Sequence, residues 1–246
     1  PFCAKESSSE ARSQRLKRLL TLFMLTVIGF SIASGAADQE TGSSFTLGSK
    51  VIDPEGFIRY ELRSPFQSAI PALRVLLPDR LARSEAPIGS SCRFLFVLPV
   101  EQGDGRQYGD GLVTVRNLNL HNRYDLIAIA PTFSQIPWYG DHPTDPGIRQ
   151  ESHMAKAVAP AVDRLFPTSS PVRLLLGFSK SGWGAVSLLV RHPDVLEAAA
   201  AWDAPVMVQS PNHYGMERVF ATQENFDRYF LPRQLREKAL LLQGRK

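Results

Sequence analysis

Leu174 to Ala185 reads LLLGFSKSGWGA, a continuous apolar run followed by two serines and a lysine set among glycines. A serine hydroxyl is a weak nucleophile unless the backbone exposes it and a base takes its proton. Gly177-Phe178-Ser179-Lys180-Ser181 has the spacing of a turn in which a buried strand bends sharply into a helix. Such a bend lifts the central hydroxyl, here Ser179, above the sheet edge. The residues two before and two after come close together, so both must be small, as Gly177 and Ser181 are. The helix opening at Lys180 aims its backbone N–H where a carbonyl oxygen gains negative charge during acyl transfer. Gly182, Gly184 and Ala185 let that helix lie close to its sheet. Serine at 181 replaces a more usual glycine, and its size still fits. Ser181 belongs to the helix and is not the nucleophile. Ser-Lys pairs exist, but a side chain directly after the nucleophile points away, so Lys180 is expected at the pocket rim. The plainer alternative is a Gly/Ser turn that caps a helix. The strand before it and the glycines after it favour the nucleophile.

Several elements must hold this corner. "RFLFVLP" (Arg93 to Pro99), "DLIAIAP" (Asp125 to Pro131), "VRLLLG" (Val172 to Gly177), "EAAAAW" (Glu197 to Trp202) and "KALLLQ" (Lys238 to Gln243) are short apolar runs. Runs of this kind mark parallel strands buried on both faces. Helix-like segments separate them, over Gly111 to Asn119, Ile148 to Phe166, Lys180 to Val190 and Glu224 to Lys238. Before them, "GFIRYELRS" (Gly56 to Ser64) and "ALRVLLP" (Ala72 to Pro78) alternate as antiparallel edge strands do. The pattern predicts an α/β three-layer sandwich around a mostly parallel sheet with antiparallel edge strands. Ligands bind outside the carboxyl ends of such strands. That directs attention to Pro99–Gly105, Pro131–Tyr139, Phe178–Gly182, Asp203–Pro205 and residues from Gly244 onward.

The chain has 246 residues, 43% hydrophobic and 21% charged, which suits one domain with a sizeable core. The formal charge is +4, but residues 1–36 hold five of the 28 basic and two of the 24 acidic side chains. The remainder is nearly neutral, which argues against a nucleic-acid surface. At the N-terminus, basic "RSQRLKR", apolar "LLTLFMLTVIGFSIA" and small "SGAA" follow in the order of a secretory leader, with cleavage expected after Ala36. Export to the periplasm or outside the cell is expected, with membrane contact only through an uncleaved leader. The domains read as 1–36, an extension and leader, and 45–246, the folded unit. With Cys3 removed, Cys92 stands alone and forms no internal disulfide. No Cys/His spacing suggests a metal, and neither a metal nor an organic cofactor is expected.

"LLLGFSKSGWGAVSLLVRHPDVLEAAAAWDAP" resembles the elbow region of α/β-hydrolase fold esterases, especially the secreted group similar to esterase D and to feruloyl or acetyl esterases. "WYGDHPTDPGIRQESHM" (Trp138 to Met154) is similar to a segment of exported bacterial proteins of that group, and the likeness spans Phe57 to Lys246. The resemblance implies a triad in the order Ser, acid, His. The acid should follow "KALLLQ", and the His a further strand. Only Gly244, Arg245 and Lys246 come after that run, so a C-terminally truncated chain lacking its catalytic His is expected.

Asp203 in "AWDAP" is a candidate acid, placed one strand early as in some lipases; a strand-end turn cap is the plainer alternative. Of the five histidines, His192 reads as a cap of the elbow helix, His121 lies at the wrong end of a strand, and His153 sits on a helix. His142 and His213 lie in loops on the pocket side but break the usual chain order. A second oxyanion donor is expected from the loop after "RFLFVL", from the N–H of Val100 or Glu101. Trp138, Tyr139 and Trp183 either line an acyl pocket or pack the core. The expected activity is that of an exported serine esterase on small-molecule or polysaccharide-linked esters. A serine peptidase of the same fold and a binding protein without a full triad are the rivals.

Overall fold

The computed structural model describes residues 45–83 and 91–243. The expected leader, Cys3 and Gly244 to Lys246 lie outside the described residues. Eight strands form one sheet in the order β1-β3-β4-β6-β5-β7-β8, with β2 paired to β3. β1 (Thr46–Leu47), β2 (Val51–Ile52), β3 (Ile58–Arg63) and β4 (Ala72–Leu76) make the antiparallel side. β4 meets β6 (Leu126–Pro131) antiparallel, and from there β5 (Ser91–Val97), β7 (Ser170–Phe178) and β8 (Ala198–Trp202) continue in parallel. This is the expected mostly parallel sheet with antiparallel edge strands.

The apolar runs bury both faces because alternate side chains point opposite ways. Phe94, Phe96, Ile127, Ile129 and Leu175 face one way. They pack under a π turn (Met154–Val158) that continues α4 (Gln150–His153), under α5 (Ala159–Leu165) and under the elbow helix α6 (Lys180–Arg191). Leu95, Val97 and Ala128 face the other way, against Leu112 and Val115 of α2 (Gly111–Asn117). Short helices α1 (Asp79–Ala82) and α3 (Leu120–Arg123) lie beside α2 in sequence.

Three sequence expectations are corrected. The Glu224 to Lys238 helix is two helices, α7 (Gln223–Asp227) and α8 (Leu231–Glu237), split where Pro232 can only start a new helix. "KALLLQ" is not a strand but a 3₁₀ turn over Ala239–Leu242, closed by Gln243 N–H to Leu240 O (3.3 Å). Ala and Leu are strong helix formers, and Lys238 Nζ ties the run to Val190 O on α6 rather than to the sheet. "EAAAAW" is the expected strand, but β8 is an exposed edge, paired only with β7 among the described residues. Four alanines satisfy an apolar count while covering little area.

Candidate active site

Ser179 follows β7 and stands at the N-cap position of α6 with φ 52° and ψ −120°. A non-glycine residue there carries strain of about 1–3 kcal/mol, held only when its surroundings dictate it. Here they do. Ser179 N–H donates to Trp202 O on β8 (3.0 Å), and Ser179 O accepts from Trp183 N–H (3.0 Å). Wholly buried Ser181 ties the corner from inside, its Oγ accepting from Phe178 N–H (2.9 Å) and donating to Phe178 O (3.0 Å). The serine that replaces the usual glycine is therefore a brace for the turn. A Cβ on Gly177 would stand 2.1 Å from Ser181 O, which explains the missing side chain two residues before the nucleophile.

Beside Ser179 opens a cleft of about 580 Å³. It is lined by Val100 and Tyr108 after β5, Trp138 after β6, Phe178 to Lys180, Asp203 to Pro205 after β8, and Tyr214. All these loops lie at the carboxyl ends of the parallel strands, the end singled out from the sequence. Ser179 Oγ has no hydrogen-bond partner among the described residues. The backbone N–H groups of Lys180 and Val100 likewise donate to no described group. One is the first free N–H of α6 and the other leaves the end of β5, so the two come from different elements, as oxyanion donors do.

Trp138 and Tyr139, expected together as a pocket lining, separate. Both are wholly buried. Trp138 closes the floor of the cleft beneath Tyr214, with its indole N–H on Tyr214 O (3.2 Å). Tyr139 is not a lining residue, and that expectation is corrected. Its ring packs edge-on to Phe133 and fills the space left by Gly184, where a Cβ would sit 2.0 Å from the ring. Its hydroxyl donates to Pro99 O (2.6 Å), bracing the base of the Val100 loop. Trp183 is core, packed on Trp138 and Phe220. Gln150 holds the loop, its Oε1 accepting from both Trp138 and Tyr139 N–H at 2.8 Å.

Asp203 lines the cleft in a left-handed conformation (φ 52°), with its residue exposed. No histidine lines the cleft. His121 is buried on α3, and His142 Nδ1 accepts from Thr144 and Asp145 N–H in a turn. His213 is exposed at the rim, its ring 6.1 Å from that of Tyr214. His153 is wholly buried, bonded through Nδ1 to Ser64 Oγ (2.9 Å), and burial holds its pKa down to about 3.

His192 lies at the far end of α6, against Glu151 Oε1 (2.9 Å). Glu151 also accepts from Arg191 Nε (2.7 Å) and the Tyr229 hydroxyl (2.8 Å). Burial alone would raise the Glu151 pKa, but the His192, Arg191 and Tyr229 bonds outweigh it and hold it at about 2. This hub and the lining residues Tyr108 and Tyr214 were not singled out from the sequence. Nothing local marks them: the hub and Tyr214 act through partners far along the chain, and Tyr108 is placed only by the fold.

The fold is the α/β-hydrolase fold. The chain is similar to an S-formylglutathione hydrolase from Agrobacterium tumefaciens, with 13% identity, TM-score 0.58, and 79% of this chain against 76% of that one. It is similar to FphF, a fluorophosphonate-binding serine hydrolase of Staphylococcus aureus, with 16% identity, TM-score 0.53, and 77% against 75%. A ferulic acid esterase is similar with 16% identity, TM-score 0.50, and 76% against 85%. No family model and no curated protein sequence matches the chain.

Proposed function

We propose that this α/β-hydrolase-fold protein is a serine hydrolase that cleaves carboxylic esters through Ser179. The observation that carries this reading is the strained corner itself, with a free hydroxyl over an open cleft and two undonated N–H groups in the same lining. Ser179 Oγ attacks the ester carbonyl carbon while the Lys180 and Val100 N–H groups receive the developing oxyanion. The alcohol leaves with a proton, and water then attacks the acyl-serine, releasing the acid and restoring the hydroxyl. The hydrolase and esterase activities named for the similar S-formylglutathione hydrolase and ferulic acid esterase agree with this reading.

The base is assigned to none of the five histidines, since none lines the cleft. Asp203, exposed in the lining after β8, is the proposed orienting carboxylate. The same lack of a cleft histidine favours the rival reading, a binding protein that keeps the fold. Export remains part of the proposal, supported by the leader-like order of residues 12–37, and mass measurement of the mature N-terminus tests it.

The experiment is a panel of p-nitrophenyl acyl esters and peptide anilides offered to the protein and to Ser179→Ala. Ester turnover lost in the variant is expected. Turnover of peptides alone makes it a peptidase, and turnover of neither makes it a binder.

A further inference from the structure

We propose that the Lys180 ammonium is a specificity-determining group, selecting esters whose acyl or alcohol part carries a carboxylate close to the scissile bond. The inference rests on the hydrolase reading of the cleft and adds a substrate class to it. Lys180 was expected to be a solvated lysine of the rim. Instead its residue lines the cleft beside Ser179 and is partly buried. No hydrogen bond and no ion pair within 4.0 Å holds its ammonium among the described residues. Burial lowers its pKa, and the more distant charge of Glu101 opposes that shift. A charge drawn from water without a close partner is costly. This one also sits on the first turn of the 12-residue helix α6, where the backbone dipole disfavours a cation.

Both costs reverse when an anion enters. The ammonium and the free N–H groups of α6 then act together on one negative charge. The other charged residue of the lining, Asp203, is exposed, and it and the more distant Glu101 repel the same anion, so the two set the limit on the preference. Tyr108, Phe178 and Tyr214 supply apolar wall for the uncharged part of the ligand. A carboxylate-bearing ester thus finds apolar contact and a counter-charge in one cleft, whereas a neutral ester of equal size finds only the first.

The test uses amide analogues, which need no turnover. Succinanilate carries the carboxylate and butyranilide does not, and each is titrated calorimetrically into the purified protein. Succinanilate is expected to bind about five-fold more tightly, the scale of a partly exposed ion pair. Lys180→Met should abolish the difference, Lys180→Arg should keep it, and Asp203→Asn should widen it. Raising salt should shrink it. Unchanged melting of each variant guards against a folding defect. Equal affinities in the native protein, a preference that survives Lys180→Met, or no binding of either analogue would overturn the proposal. An intact preference without ester turnover would instead overturn the hydrolase reading alone. A mono-ester of succinate linked through its acyl group, set against an aryl acetate bearing a carboxylate, then tells which side of the ester carries the anion.

Discussion

The two ends of helix α6 are built from the same kinds of residue and treat them in opposite ways. At the N-terminal end, Ser179 is strained, its hydroxyl is free, and Lys180 and Asp203 face the cleft without close partners. At the C-terminal end, Arg191 and His192 share the Glu151 carboxylate with Tyr229, and the Arg191 guanidinium lies 4.3 Å over the Tyr229 ring. One end leaves its polar groups unsatisfied, and the other closes every bond it can. Satisfied buried polar groups specify and rigidify a fold, while unsatisfied ones persist where a ligand completes them. The far end anchors the helix whose near end is strained.

The largest effect that separates the two ends should come from acid. Glu151, at about 2 when folded against an ordinary 4.5, adds stability above pH 4.5 and loses it as pH falls toward 2. That amounts to about 3 kcal/mol. His153 is held neutral, at about 3 against an ordinary 6.5, so the stability it adds above pH 6.5 drains away as pH falls toward 3. Fully drained, its share is about 5 kcal/mol. Urea melts at successive pH values should show stability falling from pH 6.5 downward, and His153→Gln should flatten the upper part of that fall.

Gly177→Ala comes next. Its Cβ meets backbone on Ser181 and Gly182 at 2.1–2.6 Å, so the turn must open. A loss of about 3 kcal/mol in a urea melt, together with loss of ester turnover, is expected. Glu151→Ala should cost a comparable, about 3 kcal/mol, by stranding Arg191. Ser179 chemistry at 25 °C should survive it, which a comparison of turnover with melting tests. The smallest effect belongs to Ser181→Gly, which removes both Oγ bonds to Phe178. A loss of about 1 kcal/mol with turnover retained is expected. A larger loss of turnover than of stability would mean that the Ser181 brace is part of the chemistry.

The corner was legible because its strand, turn and helix lie within twelve residues in one pass, although the Trp202 carbonyl that holds Ser179 N–H does not. The parallel strands were legible for the same reason, since an apolar run declares itself. What sequence could not supply was pairing across distance. Gly184 reads as a helix-packing glycine, and only the fold reveals the Tyr139 ring that fills its space. Glu151 reads as an ordinary helix residue until Arg191, His192 and Tyr229 arrive from later in the chain. "KALLLQ" carries no periodicity that separates strand from helix, and a local 3₁₀ turn won over pairing with the sheet.

The most direct test is a fluorophosphonate probe applied to the purified protein, read by intact mass and peptide mapping. A free, base-activated hydroxyl at the corner predicts a single adduct on Ser179 that disappears in Ser179→Ala. No adduct, or an adduct that remains in the variant, would contradict it.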